Sequence, residues 1–325
     1  MKSYSMQATA EEATISLREV EVPEPGAQQM LVRMRAAGLN RGEFIVGHGL
    51  TKAGSVKAIG MEGAGEVAKL GAGVTRFRVG ERVMGRCAGA FSEYALMDER
   101  EAIAVPEGVS WEEAASIPLA FLVVHDMLFT QGRLAPGEWV LVTGVSSGVG
   151  VAALQTAKER GAKVIGTSGS QEKLDKLVPL GLDLGLCTRK ADFHDAVMQA
   201  TGGKGVDLVV NTVGGSVFAE CVRSMAFQGR LATVGYVDGI LGAEIDIQAL
   251  HAKRLTLFGV SNKLRTAEQR AAGLPAFMAD LMPAIAARRI KPLVDRVFPF
   301  GELHQARAHM EANRHVGKIV LSIPE

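Results

Sequence analysis

Cysteine, tryptophan and tyrosine are scarce in this chain of 325 residues, at three, two and three copies. Cys87, Cys187 and Cys221 stand far apart and form no CxxC pair. That spacing excludes a metal knuckle and a disulfide framework, and it points to a reducing compartment. Net charge is also lacking: 36 basic residues against 35 acidic ones leave +1. The basic footprint of a nucleic-acid or anionic-membrane binder is therefore missing. The longest apolar run, Ile117 to Val124, falls well short of the ~20 residues that span a bilayer. The amino-terminal MKSYSMQATAEE has no apolar signal core, so the expectation is a cytoplasmic protein with no membrane partner.

What the chain does have is a glycine-rich turn in a revealing place. Glu138-Trp-Val-Leu-Val-Thr-Gly-Val-Ser-Ser-Gly-Val-Gly150 runs from an apolar strand into a turn and then into a helix expected over Val149–Glu159. Gly144, Gly148 and Gly150 let the backbone turn tightly and approach a ligand, and the helix start offers N–H groups to a pyrophosphate. Ser147 and Val149 lie in the same turn. Because the motif sits near the middle of the chain, a large domain must precede it.

From Trp139 onward, β-branched strands alternate with helical segments, which predicts a parallel sheet covered by helices. Strands are expected at Trp139–Thr143, Lys163–Thr167, Leu184–Cys187, Asp207–Asn211, Arg230–Val234 and Thr256–Gly259. Helices are expected over Ser170–Leu180, Asp192–Ala200 and Ser216–Phe227. Residues 1 to about 110 read differently, as short strands punctuated by Pro-Glu-Pro-Gly, Gly-Ala-Gly and Val-Gly-Glu-Arg, an irregular and mostly β domain. The capping box Ser110-Trp-Glu-Glu113 starts a helix after it. Beyond Ser261, a helical stretch Glu268–Arg289 and two further strands are too few elements for a third domain and are expected to complete the first.

This order of parts resembles the medium-chain dehydrogenase/reductase superfamily. The cues are Val22-Pro-Glu-Pro-Gly26, Ala37-Gly-Leu-Asn40, Gly60-Met-Glu-Gly-Ala-Gly65, Val79-Gly-Glu-Arg-Val83, Ala115-Ser-Ile-Pro118, the glycine turn and Gly317-Lys-Ile-Val320. The resemblance implies an α/β fold: a GroES-like β domain, residues 1–117 and 262–325, plus a doubly wound parallel-sheet (Rossmann) domain, residues 118–261, with coenzyme in the cleft between them. Zinc alcohol dehydrogenases carry Cys, His and Cys at the positions of Asn40, Met61 and Leu119, and an amide, a thioether and an aliphatic side chain cannot make that site. The four-cysteine structural zinc lobe has no counterpart either. The remaining pattern is similar to the zinc-independent quinone oxidoreductase, or zeta-crystallin-like, branch, which transfers hydride from NADPH to quinones or α,β-unsaturated carbonyl compounds. Short-chain dehydrogenases share a similar glycine motif but pair it with Tyr-x-x-x-Lys, and none of Tyr4, Tyr94 and Tyr236 has a lysine four residues on.

The second strand of a site selective for NAD usually ends in an acid that repels a 2′-phosphate. Here Ser168 stands in that place, with Lys173 in the next helix. In the resembling family Gly169, Lys173 and Arg314 match residues around the 2′-phosphate, and Thr188 replaces a tyrosine. Val123 replaces a threonine that contacts the nicotinamide. Asn40, at the lost ligand position, can hold the nicotinamide ribose or a substrate oxygen, or it can cap its own turn. Glu62 and Arg41 flank it, as a structural ion pair in the first instance and as a catalytic pair in the alternative. His48 and His125 are both candidate proton donors, and each is more ordinary as a hydrogen-bonded structural histidine; His48 lies in a loop where Ile45 and Thr51 replace family tyrosines. Gly235 and Phe258-Gly259-Val260 follow two strands at their carboxyl ends, where α/β sheets bind ligands. Gly42 stands where zinc enzymes place a hydroxyl relay residue. The combined expectation is a metal-free NADPH-dependent homodimer, paired through the edge strand Thr256–Gly259, that acts on a quinone or enone and binds no nucleic acid. An enoyl-thioester reductase and a non-catalytic NADPH-binding protein are the alternatives.

Overall fold

The computed structural model describes residues 1–8, 13–44 and 56–324. His48, Ile45 and Thr51 lie outside the described residues. The chain divides into two compact units, the first made of Met1–Leu122, Asn262–Ala279 and Pro292–Glu325, the second of Val123–Ser261 and Asp280–Lys291. Seven strands come first: β1 (Lys2–Ala8), β2 (Ala13–Glu19), β3 (Gln29–Gly38), β4 (Val56–Ala58), β5 (Glu62–Leu70), β6 (Arg82–Ala88) and β7 (Tyr94–Ala104). The next six are β8 (Trp139–Thr143), β9 (Lys163–Ser168), β10 (Leu184–Cys187), β11 (Val206–Asn211), β12 (Met225–Thr233) and β13 (Thr256–Gly259). β14 (Val294–Pro299) and β15 (Lys318–Ser322) close the chain.

The first unit is a GroES-like β domain. Its larger sheet runs β14-β15-β3-β5-β6-β7, and a further pairing of β3 with β7 closes four of these strands on themselves. Closure removes edges that would otherwise expose unpaired backbone. A smaller sheet, β2-β1-β4, belongs to the same unit. Alternate residues of β3 and their neighbours fill the core with Met30, Met34, Phe91 and Met97, all fully buried. Met fills irregular spaces well because its thioether stem is unbranched and flexible. Helix α1 (Trp111–Ala115) begins at Ser110, whose Oγ accepts from Glu113 N at 3.2 Å while Glu113 Oε2 accepts from Ser110 N at 3.2 Å, so the expected capping box is formed.

The second unit is a doubly wound sheet of six parallel strands in the order β10-β9-β8-β11-β12-β13. Strands covered on both faces read as unbroken apolar runs. Val140-Leu-Val142, Val164-Ile165 and Leu208-Val-Val210 are all fully buried. Each such side chain stabilises the fold by roughly 1.5–3 kcal/mol relative to exposure. Helix α2 (Pro118–His125) leads into this unit, and α3 (Gly148–Glu159) follows β8. Among the described residues, no helix is long and apolar enough to cross a membrane.

Several boundaries differ from those expected, for local reasons. The helix expected over Glu268–Arg289 is three helices, Ala267–Ala271, Leu274–Asp280 and Met282–Ala286. Pro275 and Pro283 each occupy a first turn, where a missing N–H is harmless and a preceding helix must stop. Helix Ser216–Phe227 shrinks to Phe218–Arg223, because Met225 pairs with Val206 and draws the next residues into β12. Helix Ser170–Leu180 becomes α4 (Gln171–Asp175) followed by a 3₁₀ turn.

The start of α3 lies close against the end of β8 at one point. A Cβ built on Gly150 would stand 2.6 Å from the carbonyl oxygens of both Gly144 and Val145. Two backbone atoms cannot swing aside as a side chain can. Gly150→Ala should therefore destabilise the protein by about 1–3 kcal/mol, read as a lower urea midpoint. An unchanged midpoint would show that α3 can move off the strand without cost.

Candidate functional site

The carboxyl edge of the parallel sheet gathers most of the residues singled out from the sequence. β8 ends at Thr143 and Gly144 turns the chain with φ +64°, a conformation that favours glycine. A Cβ there would also stand 2.6 Å from Thr212 Oγ1. Ser147 caps α3, its Oγ accepting from Gly150 N at 3.0 Å. The N–H groups of Gly148 and Val149 precede any acceptor within the helix and point beyond its end with the positive end of the dipole. That is the equipment for binding a phosphate group.

The turn is braced from β11, the neighbour across the point where strand order reverses. Asn211 is fully buried; its Oδ1 accepts from Thr143 Oγ1 and from the N–H groups of Val213 and Gly214, each at 3.1 Å. Its Nδ2 donates to Gly214 O at 2.9 Å, and Thr212 Oγ1 donates to Thr143 O at 2.7 Å. A switch point of this kind is where open α/β sheets bind ligands. From the sequence Asn211 and Thr143 are only the last residues of two strands; a polar residue closing each of two apolar runs is the signal that marks them.

At the end of β9, Ser168 is buried and its Oγ lies 3.3 Å from Ser146 Oγ. No carboxylate closes this strand, so the acid that selects against a 2′-phosphate in NAD sites is missing from its end. Ser170 caps α4, accepting from Lys173 N at 3.4 Å, which places Lys173 in the first turn. Thr188 N–H donates to Ser168 O at 2.9 Å, aligning β10 with β9. On the other side, Gly235 follows β12, and Val260 N–H donates to Thr233 O at 3.0 Å, so Phe258, Gly259 and Val260 leave the sheet at the same edge. Val123 is half-buried on α2. Arg314 is exposed in the first unit, between helix Leu303–Glu311 and β15. His125 is buried, its Nε2 2.8 Å from Asp280 Oδ2 and its ring stacked on Phe129, which is the structural role.

In the first unit, Asn40 and the backbone of Leu119 converge on Glu62. The expected Glu62–Arg41 ion pair does not form. Arg41 Nη2 donates instead to Met310 O at 2.9 Å and Asn313 Oδ1 at 2.6 Å. The cation on Glu62 is Lys318, from the first position of β15, whose Nζ lies 2.6 Å from Glu62 Oε1, 2.8 Å from Asn40 Oδ1 and 2.9 Å from Leu39 O. The two side chains are 0% and 7% exposed, so each charge needs every partner it has. The antiparallel pairing of β15 with the end of β3 delivers Lys318, whereas Arg41 lies beyond that pairing in a 3₁₀ turn and reaches the other way. Glu62 Oε2 accepts from Leu119 N at 2.7 Å, using a free N–H of the first turn of α2.

Asn40 is thereby committed. Its Nδ2 donates to Glu43 Oε1 and to Glu62 Oε1, both at 3.0 Å, and its Oδ1 accepts from Lys318. An amide nitrogen has two N–H groups, and both are engaged. What is left is a lone pair on Oδ1, which can accept from a ribose hydroxyl but cannot donate to an oxyanion. Of the two ligand roles expected for Asn40, beside that of capping its own turn, the bonding leaves open the ribose role.

Glu43 is the unanticipated member. It is buried, and its Oε2 has no hydrogen-bond partner among the described residues. Burial pushes its carboxyl from 4.5 up to about 7; Asn40 and Lys318 pull it down and the charge on Glu62 adds to the rise. Cys87 is pushed up to about 12 by burial and then by Glu62 and Glu43. It stays a thiol and is no nucleophile. Among the described residues, no three His, Cys, Asp or Glu side chains are arranged to hold a metal ion.

Residues 26–107 match the alcohol dehydrogenase GroES-like domain and residues 148–274 match the zinc-binding dehydrogenase family. Over 305 residues the chain is 31% identical to the highly reducing polyketide synthase gloL of Glarea lozoyensis, an alignment that spans 92% of this chain and 12% of the synthase. Whole-length similarity is found among solved structures. A mycobacterial protein complexed with NADPH superposes with a TM-score of 0.89 at 28% identity, covering 99% of this chain and 100% of that one. The CurK enoyl reductase superposes at 0.85 with 26% identity, covering 98% and 99%. The Escherichia coli quinone oxidoreductase complexed with NADPH superposes at 0.87 with 25% identity, covering 99% and 100%.

The raised Glu43 carboxyl makes stability depend on pH. The fold favours its protonated form, so its contribution is full below the unfolded value of 4.5 and is lost as pH rises through about 7. The total is about 3 kcal/mol. Glu43→Gln keeps an acceptor for Asn40 and cannot ionise. Urea unfolding of both proteins at a series of pH values should show the difference between them growing in favour of the variant from about pH 5 to 8. Parallel curves would show that Glu43 titrates as a solvated acid.

Proposed function

This chain belongs to the medium-chain dehydrogenase/reductase superfamily, and on that premise we propose that it is an NADPH-dependent reductase that delivers hydride, without zinc, to the conjugated double bond of a quinone or enone. The observation that carries this reading is the donor set at positions 40, 61 and 119. Asn40 and the Leu119 backbone are engaged with Glu62 and Lys318, and Met61 offers a thioether, so these positions hold none of the thiolates and imidazoles that bind catalytic zinc. Oxidation of an alcohol develops an alkoxide that needs a metal or an acid–base relay. A conjugated acceptor spreads the incoming charge onto its own oxygen, where a backbone N–H or water suffices.

The coenzyme fits the second unit. The N–H groups of Gly148 and Val149 would hold its pyrophosphate, the bare backbone of Gly144 and Gly150 leaves room for it, and Ser168 with Lys173 tolerates a 2′-phosphate. When bound, NADPH supplies the hydride. The protein contributes position and shape, which are worth several kcal/mol when reactants are held in register. Asn40 would hold a ribose hydroxyl through Oδ1. With both of its N–H groups committed, it does not polarise the substrate oxygen.

An enoyl thioester is the second reading, favoured by the likeness to a polyketide synthase segment and to the CurK enoyl reductase. It uses the same hydride chemistry on a larger substrate. A protein that binds NADPH without turnover is the third.

Steady-state kcat/KM with NADPH for a quinone, an enone and an enoyl thioester, and with NADP⁺ for a matched saturated alcohol, separates these readings. A conjugated acceptor should be favoured over the alcohol by about a hundredfold or more, equivalent to roughly 2.7 kcal/mol in barrier. Faster turnover of the alcohol overturns the reaction; turnover confined to the thioester selects the second reading, and none at all selects the third. We also propose that the protein is a homodimer paired along β13, an edge strand with half-buried Leu257 and Phe258. Sedimentation at micromolar concentration should give twice the mass of one chain, and a fully active monomer would overturn the pairing.

A further inference from the structure

Beside the dinucleotide turn lies an arginine that no step above has used. β10 ends at Cys187, level with Ser168 of β9, and Thr188 is tied back to Ser168 by its N–H. The next residue, Arg189, lies across Gly169. A Cβ built on Gly169 would stand 2.0 Å from Arg189 Nε, 2.6 Å from its Cγ and 2.8 Å from its Cδ. Any other residue at 169 would evict this stem. Arg189 is exposed, and its guanidinium makes no hydrogen bond or ion pair among the described residues. Thr188, by contrast, is spent: its hydroxyl donates to Asp192 at 2.6 Å and accepts from Lys190 N at 3.0 Å.

We propose that Arg189 is a specificity-determining residue for the coenzyme, its guanidinium donating to the 2′-phosphate from above Gly169. The inference rests on the NADPH reading of the same turn and adds a residue to it. Three features support the assignment. The stem is already laid against the end of β9, the strand whose last residue conventionally meets the adenosine ribose, so little freedom is lost on binding. There is no existing ion pair to break. A planar guanidinium presents two parallel N–H groups that match two phosphate oxygens, a fixed fork that the ammonium of Lys173 does not offer.

Isothermal titration of the protein with NADPH, NADH, 2′,5′-ADP and 5′-AMP tests the assignment without requiring turnover. Wild type should bind NADPH more tightly than NADH, and 2′,5′-ADP more tightly than 5′-AMP. Arg189→Ala should weaken NADPH and 2′,5′-ADP by about ten- to a hundredfold, the usual worth of a charge-assisted hydrogen bond, and leave NADH and 5′-AMP within about threefold. Gly169→Ala keeps the charge but displaces the stem, so it should lower the NADPH preference at an unchanged melting temperature. Arg189→Lys should restore only part of what alanine loses. If Arg189→Ala keeps the wild-type preference while Lys173→Ala abolishes it, the role of Arg189 is overturned and the NADPH reading stands. If wild type itself shows no preference for the phosphorylated ligands, the coenzyme reading fails and the role of Arg189 fails with it.

Discussion

The buried contact between Lys318 and Glu62 is the constraint on which the first unit depends. An ammonium and a carboxylate withdrawn from water are tolerated only when all their bonds are satisfied, and here they are. Lys318 spends its three N–H groups on Glu62, Asn40 and the Leu39 carbonyl, and Glu62 takes Lys318, Asn40 and the Leu119 N–H. Removing either partner would leave an uncompensated charge at a cost of about 3–5 kcal/mol. The contact joins β15, the end of β3, the start of β5 and the first turn of α2. Gly38 is part of it, since a Cβ there would stand 2.9 Å from Glu62 Oε1 and 2.6 Å from Ala115 O.

This knot also decides what Asn40 can do. A side chain at an emptied ligand position invites a catalytic role, but an amide bonded to the Glu62 carboxylate, the Glu43 carboxyl and an ammonium has a fixed orientation and no donor to spare. Glu43, with one oxygen bonded to Asn40 and the other unpartnered, completes the surroundings of the amide. Its preference for the neutral form keeps a second negative charge away from Glu62.

The second unit solves a different problem by different means. At the carboxyl edge between β8 and β11, Thr143, Asn211 and Thr212 hold the turn through backbone groups and short polar side chains. A phosphate must approach the backbone itself, and this edge leaves the backbone bare. Rigidity comes from the buried valines and leucines behind it, which cannot shift without opening voids.

The sequence determined the architecture of the second unit because its signals are local. Short β-branched apolar runs bounded by turn residues and alternating with helical segments point to strands covered on both faces, and glycines at 144, 148 and 150 between strand and helix admit few conformations. It determined as well that three ligand positions carry an amide, a thioether and an aliphatic side chain. It misjudged the helix past Ser261, where the prolines needed to be read as starts rather than passed over. Which cation meets Glu62 was decided only by tertiary structure. Arg41 is near in sequence and Lys318 is distant, and the pairing of β15 with β3 brings the distant one in. The same holds for Asn211 beneath the glycine turn, for the unpartnered oxygen of Glu43 and for Arg189 lying over Gly169. Each depends on which strands become neighbours, and strand order in a sheet is set by the packing of the whole chain rather than by any one stretch of it.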